Sequence, residues 1–287
     1  MLIIDVTVQA LMLGGLYTLF ATGLALVFGV MRIVNVAHGD FIVLAAYVAL
    51  TTVALVPIHP LTSLVIVVPA MAAVGYALQR VILNRITGPD PMPPLLVTFG
   101  ISIVLENVLL QIFGGNTHKL QAGALETQSV SVAGASIGVY PLLVFVVAIS
   151  VIVALQHLLY RTSLGRLFRA TSDDSETARL MGVRHKHIYA VASAIAFAVV
   201  AIAGVLLAIR TNFDPTVGPA RLLTAFEVVI IGGLGSFWGT LAGGVVLGFA
   251  QAIGSRIDPS VQTLAGHLIF LVVLLARPTG LFPKIAH

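Results

Sequence analysis

The sequence has no cysteine, so it forms no disulfide, offers no thiolate nucleophile and supplies no sulfur to a metal. It also has little charge. Asp, Glu, Lys and Arg make up 9% of its 287 residues, where a soluble globular domain carries roughly 25%. So few charges cannot coat a soluble surface of this size. A nucleotide-binding loop is missing too. Such a loop needs Gly-Lys-Ser or Gly-Lys-Thr, so that backbone amides and an ammonium group hold phosphates. The lysines are Lys119, Lys186 and Lys284, and none follows a glycine. If ATP drives this protein, another subunit binds it. No His-Glu-x-x-His occurs, which removes the metalloprotease reading. The histidines are scattered, so no metal site or cofactor is expected on this chain. The N-terminus does not read as a secretory signal. It has no basic n-region, and the apolar stretch 6–30 is too long.

What the chain has is hydrocarbon, with 59% of residues hydrophobic. Apolar segments fall at 6–30, 40–58, 61–83, 94–114, 138–160, 188–209, 222–234, 236–256 and 262–276. A bilayer core of ~30 Å needs ~20 such residues per helix. The runs are continuous rather than alternating, which argues for helices over a β-barrel. The expected fold class is all-α, a polytopic transmembrane bundle, with 1–287 as one transmembrane domain. The seventh segment is short, so a broken or re-entrant helix is expected there. The count is eight or nine membrane segments.

Basic residues set the orientation. The stretch 161–187 holds Arg161, Arg166, Arg169, Arg179, Arg184 and Lys186, which predicts a cytoplasmic loop. Counting backwards puts Arg32, Arg80 and Arg85 inside and the N-terminus outside. Counting forwards through nine segments puts Arg277, Lys284 and the C-terminus inside. Lys119, Arg210, Arg221 and Arg256 fall outside. The formal charge of +4 follows from this retention of basic residues and implies no nucleic-acid partner. Residues 115–138 lie outside, and Val130, Val132, Ile137 and Val139 around Ala133-Gly134-Ala135-Ser136 predict a small hairpin.

Inside the basic loop, Asp173-Asp174-Ser175-Glu176 starts a helical pattern. Asp173 is a candidate N-cap with Glu176 returning the bond. Ala178, Leu180 and Met181 give a small apolar face, and Gly182 suits a left-handed stop. A helix of about two turns, roughly 12 Å, is expected at the membrane surface. Elsewhere, Asn35, His38 and Asp40 stand between the first two segments. The local account has Asp40 capping the second helix, His38 bonding a backbone carbonyl and Gly39 permitting a tight reversal. The functional account has Asn35 and His38 on a solute pathway. Glu106 falls mid-span, where a charge costs at least ~2.5–3.5 kcal/mol. It is expected to face the interior or a wet pathway, with Asn107 or Gln111 near it. Glu227 raises the same question. Gly239-x-x-x-Gly243 and Gly244-x-x-x-Gly248 predict close helix packing, within the subunit or against a second one. Gly232, Gly233 and Gly235 predict a break between two segments. Ser102 and His267 are the nearest pair for an intramembrane protease, and the pattern is weak.

Glu176-Thr177-Ala178-x-x-x-Gly182 resembles the Glu-Ala-Ala-x-x-x-Gly core of ABC importer permeases, with Thr177 at the middle alanine. The run from Gly14-Gly15-Leu16-Tyr17 through Phe28-Gly29-Val30-Met31-Arg32-Ile33-Val34-Asn35-Val36-Ala37-His38-Gly39-Asp40-Phe41 resembles the branched-chain amino acid ABC permeases of the LivH type. Arg169-Ala170 to Gly182-Val183 and Gly232-Gly233-Leu234-Gly235-Ser236 resemble the same family in the same order. The resemblance implies a permease of the inner membrane that does no covalent chemistry. It implies that Glu176, Thr177, Ala178, Arg179, Leu180, Met181 and Gly182 form a coupling helix seated in an ATPase subunit. It implies two cytoplasmic ATPases holding ATP and magnesium, a second homologous permease or second copy, and an external solute-binding protein. The solute would be a branched-chain or related amino acid; urea, short amides or another small organic solute are alternatives. An ion-coupled secondary transporter using Glu106 and Glu227 is a more distant rival.

Overall fold

The computed structural model describes residues 2–88, 90–132 and 135–282. Its helices are α1 (Leu2–Met31), α2 (His38–Leu55), α3 (Leu64–Leu78), α4 (Met92–Phe113), α5 (Val139–Arg161), α6 (Ser163–Asp173), α7 (Ser175–Leu180), α8 (His185–Arg210), α9 (Gly218–Gly232), α10 (Phe237–Ile257) and α11 (Val261–Ala276). A π turn, Gln79–Leu83, and a short turn, Asn84–Ile86, prolong α3. Between α4 and α5 an antiparallel hairpin pairs β1 (Ser129–Val132) with β2 (Ala135–Gly138), putting Val130 opposite Ile137. Its tip, Ala133-Gly134, lies outside the described residues, as does Lys284.

Among the described residues, eight helices are long and apolar enough to cross a membrane, and α11 is a shorter apolar helix of 16 residues. The chain is a multi-pass membrane protein. Contacts fix which ends lie together. Ser172 in α6 donates to the carbonyl of Gly29 near the end of α1, and Asn84 below α3 donates to the carbonyl of Lys186. After α11 the amides of Leu281 and Phe282 donate to the carbonyls of Ile231 and Gly232. These ends form the basic face. At the opposite face, near the hairpin, His118 and Phe213 exchange two backbone hydrogen bonds. Nine segments therefore alternate between faces, and the end of α11 returns to the face of the basic loop. The seventh helix, α9, has 15 residues and the last, α11, has 16.

The bundle is built from two four-helix units of opposite sense. In the first, α1 runs toward the basic face; in the second, α8 runs away from it. Contacts repeat accordingly: α1 packs along α10 as α8 packs along α3, and α1 meets α9 as α8 meets α2. Inverted repeats of this kind recur in transporters. The central pair α1 and α8 is the most enclosed, 83% and 78% of each span being buried, against 17% for α4. Small residues make this closeness possible. A Cβ on Gly244 would come within 2.7 Å of the Gly14 carbonyl oxygen, and one on Gly248 within 2.3 Å of the Ala10 carbonyl oxygen. Gly239 and Gly243 stand equally close to α9, at Gly232 and Val228. These glycines therefore seat α10 on α1 and α9 within the subunit.

Two helices begin at mid-depth. His38, the first residue of α2, places Nε2 2.8 Å from the carbonyl oxygen of Phe20. Phe20 lies eleven residues before Met31, about 16 Å back along α1 at 1.5 Å per residue. Residues 32–37 therefore climb back from the basic face without helical structure. Gly218, the first residue of α9, touches Gly39: a Cβ on Gly39 would lie 1.9 Å from the Gly218 carbonyl oxygen. Residues 211–217 thus descend from the other face to the same depth. The reversal after α1 is made by Arg32, at φ 54°, and not by Gly39. Gly39 is needed because no side chain fits against α9.

The seventh segment enters as non-helical backbone and starts its helix inside the bundle, in keeping with the short helix expected there. A 3₁₀ turn, Pro215–Val217, leads into α9, giving an 18-residue span over Pro215–Gly232. Arg221, assigned to an outer loop on charge, lies within this helix. The polar run 212–221 hid its start.

Candidate functional site

Non-helical backbone at membrane depth must find partners inside the protein. Most sequence-selected residues around α2 do that work. The Asn35 side-chain oxygen accepts from the Ala37 amide at 3.1 Å, and the Val36 amide donates to the Thr98 hydroxyl at 3.1 Å. His38 satisfies the Phe20 carbonyl. Asn35 and His38 are 3% and 1% exposed, so in this state they are structural. Asp40 is not the cap of α2; the cap position is Ala37, without a side-chain bond. Asp40 instead accepts a hydrogen bond from Ser102 of α4 at 2.5 Å through Oδ2. Its other oxygen, Oδ1, is buried without a hydrogen-bond partner. It faces Gly218, where an added Cβ would lie 1.9 Å from it. The carboxyl group thus sits where two helix N-termini, each equivalent to about half a positive charge, come together.

Thr98, Ser102 and Glu106 follow one another at four-residue spacing and share a face of α4. The first two grip residues 32–40, and Glu106 continues the row. Glu106 is half-buried with no hydrogen-bond partner among the described residues. Asn107 does not pair with it. Its amide donates to the Ile103 carbonyl of its own helix, and Gln111 is exposed. In the second unit, Glu227 of α9 is 1% exposed and pairs with His267 Nδ1 of α11. Nearby, Tyr17 of α1 donates to the Gln251 side-chain oxygen of α10 at 2.5 Å, and Arg221 lies over the Phe20 ring. Buried nitrogens of Arg210 and Arg221 lack hydrogen-bond partners. Ser102 and His267 are each bound to a carboxylate, so they form no nucleophile–base pair. Sequence reading gave Tyr17, Thr98, Arg221 and Gln251 no role, and considered Ser102 and His267 only as a protease pair. The four-residue row on α4 was the one available signal.

At the basic face, the coupling loop divides differently from expectation. Asp173 closes α6, and Asp174 caps α7, accepting from the amides of Glu176 and Thr177 at 2.9 and 3.0 Å. The Thr177 hydroxyl also donates to Asp174, at 2.5 Å, and this bond holds the carboxylate below its usual range. α7 has six residues, shorter than the two turns expected, because α6 takes up the acidic start. Gly182 follows it at φ 84° in open space. Ala178 is buried against the bundle, whereas Leu180 and Met181 are 86% and 81% exposed. The short helix thus holds two large apolar side chains outward at its C-terminal end. Gly233 and Gly235, at φ 103° and 80°, form the turn from α9 to α10 on this same face.

The family of branched-chain amino acid transport system permease components matches residues 6–277. The chain belongs to this family. It is 30% identical to the high-affinity branched-chain amino acid transport permease BraD of Pseudomonas aeruginosa, over 96% of this chain and 94% of that one. It is 27% identical to the corresponding LivH of Escherichia coli, over 95% and 92%. It is 27% identical to a probable LivH of Methanocaldococcus jannaschii, over 93% and 87%. No solved structure matches. As a LivH-type permease the chain is a transport component, not an enzyme. Its polar residues gather at the junction of α2, α4 and α9, around the Glu227–His267 pair, and on α7 at the basic face.

Proposed function

We propose that this permease imports branched-chain or related amino acids across the inner membrane, driven by ATP hydrolysed on two separate cytoplasmic ATPases. The basic face is cytoplasmic, with the N-terminus outside and the C-terminus inside, in accord with the concentration of arginine there. The observation that carries the reading is α7, with Leu180 and Met181 held outward on a capped helix within a family match that spans the chain. Each ATPase receives Glu176 to Gly182 in a groove and moves this helix on binding ATP and magnesium. An external solute-binding protein delivers the solute and largely selects it, so urea or short amides stay open as cargo.

The pathway runs past α4. Glu106 is half-buried at the end of the Thr98–Ser102 row and Asn107 beside it is exposed, and a carboxylate left open to lipid would cost at least ~2.5–3.5 kcal/mol. A second homologous permease, or a second copy, covers this face and encloses the solute. Asn35, His38 and Glu227 support the wall rather than line it.

The test is Gly182→Val. A β-branched residue is strained at this positive φ. The variant should stay in the membrane and hydrolyse ATP with its partners, while uptake falls at least tenfold. Normal uptake would remove the coupling role. Unchanged wild-type uptake after deletion of the ATPases would remove the ATP-driven reading altogether.

A further inference from the structure

A cavity of about 480 Å³ opens at the basic face between α1, α5, α6 and α10. Its floor is apolar, formed by Leu26 and Val30 of α1, Phe168 of α6 and Phe237 of α10. Its mouth is different. Tyr160 and Trp238, the only tryptophan in the sequence, stand there 55% and 48% exposed. Arg169 lines the same groove, half-buried, with its guanidinium 5.2 Å from the centre of the Tyr160 ring. One of its nitrogens donates to the Leu159 carbonyl, which aims the group and leaves other donors free. The groove sits at the last turn of α5 and the first of α10, hence at the bilayer boundary. Amphipathic aromatic rings favour that level. Arg161 and Arg166 are exposed on the same α5–α6 corner.

We propose that this groove binds one anionic glycerophospholipid of the leaflet on the basic face, its phosphate on Arg169 at the aromatic mouth and an acyl chain along Leu26 and Phe237. The charge argument selects the occupant. An apolar slot with a cationic, aromatic rim matches a headgroup and chain together, and a free phosphate would leave the floor bare. Basic pockets between membrane helices bind anionic headgroups in this way. The site does not depend on the solute or on ATP. It does border the coupling loop: Phe168, Arg169 and Ser172 belong to α6, which ends at the cap of α7. A lipid bound here braces the helix that carries α7.

The full-length chain, with whatever subunits co-purify, is placed in nanodiscs of phosphatidylcholine containing a minority of phosphatidylglycerol. Lipid retained through native mass spectrometry is then counted. One retained phosphatidylglycerol per chain is expected, weakened about fivefold in Arg169→Gln, from the roughly tenfold-per-1.4 kcal/mol scale and the worth of one Arg at a membrane surface. Trp238→Ala should weaken retention without changing charge. Arg256→Gln, on the opposite face, should leave it unchanged. Equal retention in wild type and both groove variants overturns the proposal, as does equal loss with Arg256→Gln. Trp238→Cys introduces the only cysteine. Its crosslinking to a second copy or to another subunit would give the groove a protein occupant and also overturn the proposal.

Discussion

The two inverted units follow one plan but attach their fourth helix in different ways. In the second unit, α11 lies along α10 with little room to spare. A Cβ on Gly254 would meet Ala265 at 2.7 Å, and one on Gly266 would meet Gln251 at 2.7 Å. The Glu227–His267 pair ties the same helix to α9. In the first unit, α4 packs on α2 and on the turn Pro215–Val217, and makes no comparable contact with α3. It is held by hydrogen bonds through Thr98 and Ser102. Side-chain hydrogen bonds between membrane helices average only about 0.6 kcal/mol, so packing is the stronger tether. The difference identifies α4 as the more weakly held wall and α11 as part of the frame.

The comparison breaks most severely where the units meet. Gly39→Ala and Gly218→Ala each put a methyl group into occupied space. Overpacking costs typically ~1–3 kcal/mol and sometimes more, and here no flexible side chain can yield at Gly39. Both variants should lose the monodisperse peak in detergent size-exclusion chromatography, and uptake with it. A normal profile for Gly39→Ala would show that the two helix starts are not in contact.

A matched pair tests packing in the two units. Gly254→Val should lower the melting temperature by several degrees, whereas Gly100→Val on α4, with nothing within 4 Å of its Cβ, should not. Equal melting shifts would erase the distinction between frame and wall. A smaller effect is expected for Ser102→Ala. It should leave the melting temperature within about 2 °C yet speed hydrogen exchange along α4, relative to α11. Faster exchange on α11 instead would reverse the assignment.

The smallest effect concerns Asp174, which serves neither unit. Its carboxylate titrates below the usual range because of Thr177, so the cap contributes above the ordinary carboxylate pKa and is lost only as pH falls through the lowered value. Coupled uptake should therefore show no Asp174-dependent change between neutral and mildly acidic pH. Asp174→Ala should reduce uptake modestly and equally across that range, as a transport assay at several pH values would show.

Much of the bundle was legible from apolar run length alone, because lipid imposes about the same number on every crossing. The eight or nine segments came from the same runs, and the common side of the basic loop and the end of α11 followed from arginine placement. The junction of α2 and α9 was not legible. Segments 32–37 and 211–217 read as loops, since nothing in the pattern says that a polar stretch turns back into the membrane. Asn35 and His38 stood out by their polarity, and the local account of His38, a bond to a backbone carbonyl, is what the structure shows; their polarity answers the unpaired backbone beside them. At the coupling loop the helix and its glycine stop were readable. The cap was displaced by one residue because Asp173 and Asp174 are equally good candidates until α6 claims the first.

Two helices that start inside the bundle, one reached from each face, share one seam. The stretch that enters from each face ends against the other at Gly39 and Gly218, so neither can retreat without uncovering its opposite. The placement of both helix starts is thereby entrusted to a contact two glycines wide.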